Sequence, residues 1–397
     1  MFETLRQPDP DRIVQLSQMF REDKRPNKLD LGIGIYRDTE GRTPVMAAVK
    51  AAEAALLQSE ETKAYIGPLG EERFNSASQQ LVLGSTIERD RCVVAQTPGG
   101  GGAIRLLAEL IRAADITTTV WISDPTWINH HPIMELVGLE HRPYPYLDRE
   151  RQEVAFDAML ATLRRARKGD VVLIHGCCHN PSGCDLNSDQ WDALARLVNQ
   201  RGLIPLVDVA YQGFGEGIEP DVRGVRRLIE QTPDALLTAS CSKNFGLYRE
   251  RVGCAIAVTR SAGLSGLVRA NLASLARVNY SFPPSHGAAV VTRILEDAVL
   301  RNHWADELNA MRQRICVNRI TLVESLRRHL QDVRFDFITR ERGMFSLLGL
   351  TEAQVETLRR EDAIFLPPDS RLNLTGLTPE SCSRLTAAMT RVLRSSV

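Results

Sequence analysis

The chain reads as an α/β protein, with a large domain on a mostly parallel sheet flanked by helices and a smaller α/β domain beside it in sequence. Three observations predict this. Between Cys92 and Val258, short runs that are apolar throughout alternate with helix-periodic stretches. Strands buried on both faces read that way, and helices between them make the sheet parallel. The 397 residues suggest two domains, three at most. After about residue 300 the alternation gives way to one long amphipathic helix and then short elements.

The expected strands are Cys92-Val93-Val94-Ala95, Val120-Trp121-Ile122, Val171-Val172-Leu173-Ile174, Ile204-Pro205-Leu206-Val207, Ala235 to Ala239 and Cys254 to Val258. Between them, a helix over 103–114 is opened by glycines, and one over 188–201 is capped by Asn187 or Ser188 with Trp191, Leu194 and Leu197 on one face. The long helix should run over about 302–330, making the connection near 300–310 a stiff hinge. It leads to Phe335–Thr339, Phe345–Gly349, a helix over 352–361, a strand near 371–374 and a last helix. Domain boundaries follow: 1–45 as an N-terminal arm joining the small domain, 46–300 as the large domain, and 301–397 as the small one.

Composition narrows the function classes. Lys+Arg and Asp+Glu balance at 49 each, so no global charge drives binding to nucleic acid or an anionic membrane. A local cluster of arginines could still bind a small anion. Even the apolar stretch from Ala47 to Leu57 is broken by Lys50 and Glu53, well short of a membrane span. The start, Met1 to Arg6, lacks a basic region followed by an apolar one, so no secretory leader is expected. The eight cysteines then read as reduced thiols of a cytoplasmic protein. Cys177 and Cys178, adjacent at a strand end, should point to opposite faces and could share an ion only across a sharp bend; no metal site is expected.

The stretch from Ser240 to Gly253 carries the sharpest chemistry. Lys243 follows an apolar strand, where partial desolvation favours the neutral amine of a Schiff-base former. Ser240, Ser242 and Arg251 offer donors for a dianionic phosphate. A lysine with a phosphate clamp is what pyridoxal 5'-phosphate (PLP) requires. Gly99-Gly100-Gly101-Gly102 follows a strand and opens a helix, so backbone amides and the helix dipole could meet an anion, though without the Gly-Lys-Ser/Thr ending of a nucleotide loop. Asp208 ends an apolar strand; it either caps the next segment or pairs with a protonated pyridine nitrogen, and Tyr211 could reach a ring oxygen. Asn180 sits in an Asn-Pro-Ser-Gly turn and could be a second such donor. Trp127 is either core or a stacking plane. Arg277 and Arg371 are either surface arginines or a pair of forks for a dicarboxylic acid.

In order along nearly the whole chain, Leu31 to Tyr36, Thr62 to Tyr65, Gln96 to Gly100, His175 to Pro181, Asp208 to Phe214, Ser242 to Tyr248, Asn279 to Ser281 and Gly343 to Ser346 resemble the aspartate and aromatic amino acid aminotransferases. That family has the PLP-dependent transferase fold type I. The resemblance implies Lys243 as the Schiff-base lysine and proton carrier, Asp208 at the pyridine nitrogen, and Asn180 with Tyr211 at the ring oxygen. It implies Trp127 stacked on the ring, with His130 behind it supporting Asp208. Ser240, Arg251 and the Gly100–Gly101 backbone would bind phosphate, joined by Tyr65 of a partner subunit. Arg371 would take the substrate α-carboxylate, Arg277 of the partner a side-chain carboxylate, and Gly34 would lie where the small domain closes. A homodimer with shared sites is implied, moving the amino group of an aromatic amino acid or aspartate to 2-oxoglutarate in ping-pong fashion.

Three positions depart from the family pattern. Gly101 stands where a threonine or serine is usual, which implies weaker cofactor retention. Ile128 stands for proline, and Phe282 for a small polar residue; both make the region near the substrate side chain more apolar and tilt the expectation toward aromatic substrates. They also leave room for a PLP enzyme acting on an unusual biosynthetic acid, or for a lyase-type reaction.

Overall fold

The computed structural model describes residues 1–5 and 11–394; residues 6–10 of the expected N-terminal arm and 395–397 of the expected small domain lie outside it. The chain forms two compact units. One comprises residues 44–313 with 341–343, the other residues 1–43, 314–340 and 344–397.

The large unit is built on seven strands: β1 (Cys92–Pro98), β2 (Thr119–Asp124), β3 (Glu140–Pro145), β4 (Val171–His175), β5 (Ile204–Val209), β6 (Ala235–Ser240) and β7 (Val252–Val258). They lie in the order β1-β7-β6-β5-β4-β2-β3. All neighbouring pairs from β6 to β3 are parallel, while β7 is antiparallel to both β1 and β6. The sheet is therefore mostly parallel, and the carboxyl ends of six strands share one edge, where ligands of such sheets bind. Helices α1 (Gly99–Ala114), α2 (His130–Val137), α3 (Ser188–Arg201), α4 (Ala262–Asn279) and the part of α5 (Ala298–Leu330) up to residue 313 belong to this unit. Val93, Leu106, Leu107, Ile122, Leu173, Leu206 and Ala255 pack in one buried cluster between sheet and helices.

Three elements differ from the sequence expectation: strand β3, absent from it, and the starts of helices α1 and α5. Strand β3 is polar and contains two prolines; it survives because it is an edge strand with a single partner. Helix α1 begins at Gly99 rather than after the glycines. Helix α3 is closed by a reciprocal box, the Asn187 side chain accepting from Gln190 N while Gln190 accepts from Asn187 N. Helix α5 starts at Ala298 because Asp297 Oδ1 accepts from Val299 N and Leu300 N.

In the small unit, Leu29–Asp30 pairs in parallel with Ile364–Phe365, and Phe345–Leu347 pairs antiparallel with Arg371–Asn373. Asp336–Thr339 forms a short 3-10 turn. Arg314 ties the unit together by donating to the carbonyls of Arg37, Asp38, Thr375 and Leu377. No helix among the described residues is long and apolar enough to cross a membrane.

Candidate active site

The carboxyl edge of the large unit's sheet gathers most of the singled-out residues. Asp208 is the fifth residue of β5 and is buried. In register, His175 of β4 lies on one side and Thr238 of β6 on the other. Thr238 Oγ1 donates to Asp208 Oδ1 at 2.7 Å, and His130 Nε2 stands 3.4 Å from Oδ2, a long contact. His130 is fixed in turn through Nδ1, 2.7 Å from Thr126 Oγ1. Burial alone would raise the Asp208 carboxyl; the His130 imidazole and the Thr238 hydroxyl outweigh it and hold the group below its ordinary value. Asp208 is thus a buried ionised carboxylate, and it does not act as a helix cap. Its one ion-pair partner among the described residues is a histidine.

Aromatic groups layer around this carboxylate. The Trp127 ring meets His130 edge-on with centroids 5.3 Å apart; His130 lies 5.2 Å from His175, and His175 lies 4.3 Å from His179. Burial drives the His175 pKa down to about 3 and takes that of His179 well below the usual range, so both rings are neutral at neutral pH. Asn180 Nδ2 is 3.4 Å from the Tyr211 hydroxyl, and Lys243 Nζ lies 5.0 Å from the centre of the Tyr211 ring. Lys243, Tyr211 and Asn180 therefore converge from three strand ends.

The first turn of α1 makes an anion cradle with the segment after β6. A Cβ on Gly99 would come within 2.4 Å of the Arg251 guanidinium, and one on Gly100 within 3.1 Å of Ser240 Cβ. Gly99 has φ +72°, which glycine adopts without strain. Arg251 Nη1 donates to Ser242 Oγ and to the Tyr248 carbonyl, both at 3.2 Å. Helix amides, two serines and a guanidinium form a donor set for a phosphate. At Gly101 an added Cβ would meet only Trp127 Cη2, at 3.7 Å, so the space is open.

The Cys177–Cys178 expectation needs correction. Cys178 has φ +52°, a bend that turns both thiols the same way, and the two sulfurs and an Asp221 carboxylate oxygen lie within 4.8 Å of one another. Asp221 is already engaged: its carboxylate accepts from the amides of Gly213, Gly215, Glu216 and Gly217. A hydrogen bond to Cys178 would lower the Cys177 pKa, but burial pushes it up to about 11; burial takes Cys178 well above its usual value. Protonated thiols are poor metal ligands.

Tyr65 and Arg277 lie in a different place. With Lys63, Tyr280, Ser281 and Phe282 they line an open cleft of about 610 Å³, which neither Lys243 nor Asp208 lines. Ile128 is exposed. In the small unit Arg371 is buried on its strand; its Cζ sits 4.3 Å over the Phe345 ring and Nη2 donates to the Gly32 carbonyl at 2.9 Å. A Cβ on Gly34 would stand 3.2 Å from Phe345 Cζ, so Gly34 and Arg371 flank the same ring.

A sequence model of the family described as "Aminotransferase class I and II" matches residues 26–392. The chain belongs to that family. This aminotransferase is 46% identical over 390 residues to the tyrosine aminotransferase of Rhizobium meliloti (strain 1021), covering 98% of this chain and 100% of that protein. It is 42% identical over 396 residues to the aspartate aminotransferase of Escherichia coli (strain K12), covering 99% and 100%. Its fold matches, with a TM-score of 0.96, the solved structure of an aromatic-amino-acid aminotransferase from Burkholderia pseudomallei covalently bound to pyridoxal phosphate, at 38% identity over 99% of each chain. The α/β fold and the PLP dependence expected of the family are thereby shown.

The residues of this aminotransferase fit PLP. The cradle at α1 suits its phosphate, and Asp208, buried and ionised, with His130 its one ion-pair partner among the described residues, suits a protonated ring nitrogen. Sequence reasoning missed Thr238 and Asp185. Thr238 is invisible because strand register is not written in either strand alone. Asp185 accepts from Cys178 N at 2.7 Å and His179 N at 2.9 Å and so holds the turn that carries Asn180. Burial pushes its pKa up to about 6. Its signal, an aspartate just after a turn between strand and helix, is too common to single out.

Proposed function

We propose that this aminotransferase moves the amino group of an aromatic amino acid or of aspartate to a 2-oxo acid, with 2-oxoglutarate as acceptor, in two half-reactions. The observation that carries the reading is the buried, ionised Asp208 at the sheet edge where Lys243, Asn180 and Tyr211 converge. The matched relatives, named for tyrosine and for aspartate, support both substrate classes.

When bound, PLP supplies a carbonyl carbon and an electron-withdrawing ring that make the substrate Cα proton removable. Lys243 Nζ would take that proton from the substrate Cα as general base and give it up again as general acid. Asp208, backed by His130 and Thr238, would keep a proton on the ring nitrogen. Asn180 and Tyr211 would donate to the ring oxygen, and Trp127 would cover a ring face. Ser240, Arg251 and the amides of Gly100 and Gly101 would hold the phosphate. Arg371 binds the substrate α-carboxylate, and Gly34 leaves room beside Phe345.

Tyr65 and Arg277 serve the site of a second copy of the chain, Tyr65 at the phosphate and Arg277 at a side-chain carboxylate. Their separate, exposed cleft supports a homodimer with shared sites. The two compact units act as large and small domains, and the protein works in the cytoplasm with its thiols reduced.

The test is the absorbance of the purified protein before and after L-phenylalanine or L-aspartate. Loss of the visible band of the lysine-bound cofactor with either, and formation of the matching oxo acid, is the expected result. A band that neither changes would move the reading to an unusual biosynthetic acid, and ammonia or carbon dioxide release would move it to a lyase.

A further inference from the structure

In the exposed cleft, three planar groups from two distant segments meet. The rings of Tyr65 and Phe282 stack with centroids 5.1 Å apart and planes 28° apart. The Arg277 guanidinium carbon lies 5.0 Å from the Phe282 ring centre, and Nη1 of the same guanidinium donates to the Ser281 hydroxyl. Arg277 sits in the last turn of α4, is exposed, and has no acidic partner among the described residues. Here the charge is held by a ring and a neutral hydroxyl, neither of which neutralises it.

That arrangement has a chemical consequence. A guanidinium lying on an aromatic face keeps its N–H edge available, and the edge is what binds a carboxylate bidentately. A long flexible side chain that is already restrained loses less freedom when it binds. The Phe282 ring is meanwhile engaged by its neighbours, so it is not a bare wall for an aromatic substrate. The sequence alone, reading Phe282 as added apolar surface, points the opposite way.

We propose that Phe282 is a positioning residue for Arg277, its ring and the Ser281 hydroxyl presenting the guanidinium edge to the side-chain carboxylate of a dicarboxylic substrate. This rests on the reading of the protein as an aminotransferase that accepts dicarboxylates. It makes a phenylalanine a determinant of selectivity for an acidic substrate rather than an aromatic one.

The experiment uses the full-length holoenzyme with Phe282→Leu, Phe282→Tyr, Arg277→Gln and the Phe282→Leu/Arg277→Gln double variant. The readouts are the inhibition constant of succinate, a non-reacting dicarboxylate, and the KM and kcat of L-phenylalanine. Losing an exposed cation–π contact should raise the succinate constant by about two- to five-fold in Phe282→Leu. The change in phenylalanine KM should be smaller, and Phe282→Tyr should keep the succinate constant of the unmodified protein. In the Arg277→Gln background Phe282→Leu should add nothing, a coupling that general loosening of the cleft would not give. An unchanged or tighter succinate constant in Phe282→Leu overturns the proposal, as does an equal rise in the phenylalanine KM. Should the unmodified protein not turn over phenylalanine, the functional reading fails separately. Succinate binding is then followed through the absorbance of the bound cofactor in the same variants, where weaker binding in Phe282→Leu supports the proposal and unchanged or tighter binding overturns it.

Discussion

The carboxylate end of the sheet and the Tyr65–Arg277 cleft belong to the same compact unit yet are built on opposite terms. Around Asp208 the groups are buried and set by the sheet register: Thr238, whose hydroxyl donates to the carboxylate, from one neighbour strand, and His175, whose ring nitrogens have no hydrogen-bond partner among the described residues, from the other. In the cleft Tyr65 and Arg277 are exposed and Phe282 is half-buried; they are held by one another, with no acidic partner for the guanidinium among the described residues. The first region is pre-organised by folding, so its errors should cost chemistry or stability. The second is open to whatever docks on it, so its errors should cost only selectivity.

The sharpest way to break that contrast is Asp208→Asn. An amide cannot hold a proton on the ring nitrogen, so kcat should fall by about 100-fold or more while the cofactor stays bound, as read by absorbance. Retention of kcat within a few-fold would show that the buried end is not committed to the chemistry.

Asp185 probes the same end through stability. Its folded pKa is raised to about 6 from 3.8, so the folded state holds the proton more tightly than the unfolded one. The native state should therefore lose stability relative to Asp185→Asn as pH rises from about 4 to 6, by up to about 3 kcal/mol at ~1.4 kcal/mol per unit, and the difference should be flat above 6. Urea unfolding of both proteins across that range reads the slope. A difference independent of pH would mean that Asp185 titrates like an exposed carboxylate.

At the cleft, Arg277→Gln should raise the aspartate KM by about 10- to 100-fold, the worth of hydrogen bonds to a charged group, with phenylalanine altered far less. Equal losses for the two substrates would erase the distinction between the regions. The smallest effect is expected at the cradle. Gly101→Ser adds a hydroxyl where a Cβ meets only Trp127 at 3.7 Å, so cofactor retention on dialysis should improve by up to about tenfold. Weaker retention would mean that the first turn of α1 lies closer to the phosphate than its open space suggests.

Much of this was legible because burial on both faces leaves a one-dimensional trace. The runs at 92–95, 171–174, 204–207 and 235–239 all became strands, and the residues just after them reached the site. What escaped depends on relations between segments or on backbone angles. Strand β3 carries no apolar run because an edge strand needs only one covered side. Thr238 became a partner of Asp208 only through register. The adjacent thiols converge because Cys178 takes a positive φ, which nothing in a pair of cysteines announces. Phe282 looked like added grease; its ring turned out to carry a cation.

Strand β7 gives the lysine segment a property that no single contact confers. Residues 241–251 leave β6 and return as its antiparallel neighbour, with Ser240 opposite Gly253 and Gly253 opposite Thr97. The segment is thus a closed hoop whose two ends are knotted to the same ladder. Sliding β7 by one residue would turn its whole side-chain set to the other face. It would also remove Gly253 from the spot where a Cβ would come within 2.6 Å of the Ala239 carbonyl and 2.7 Å of the Gly99 backbone. The hoop cannot be let out or taken in by a residue, so the eight-residue step from Lys243 to Arg251 is held at a fixed span.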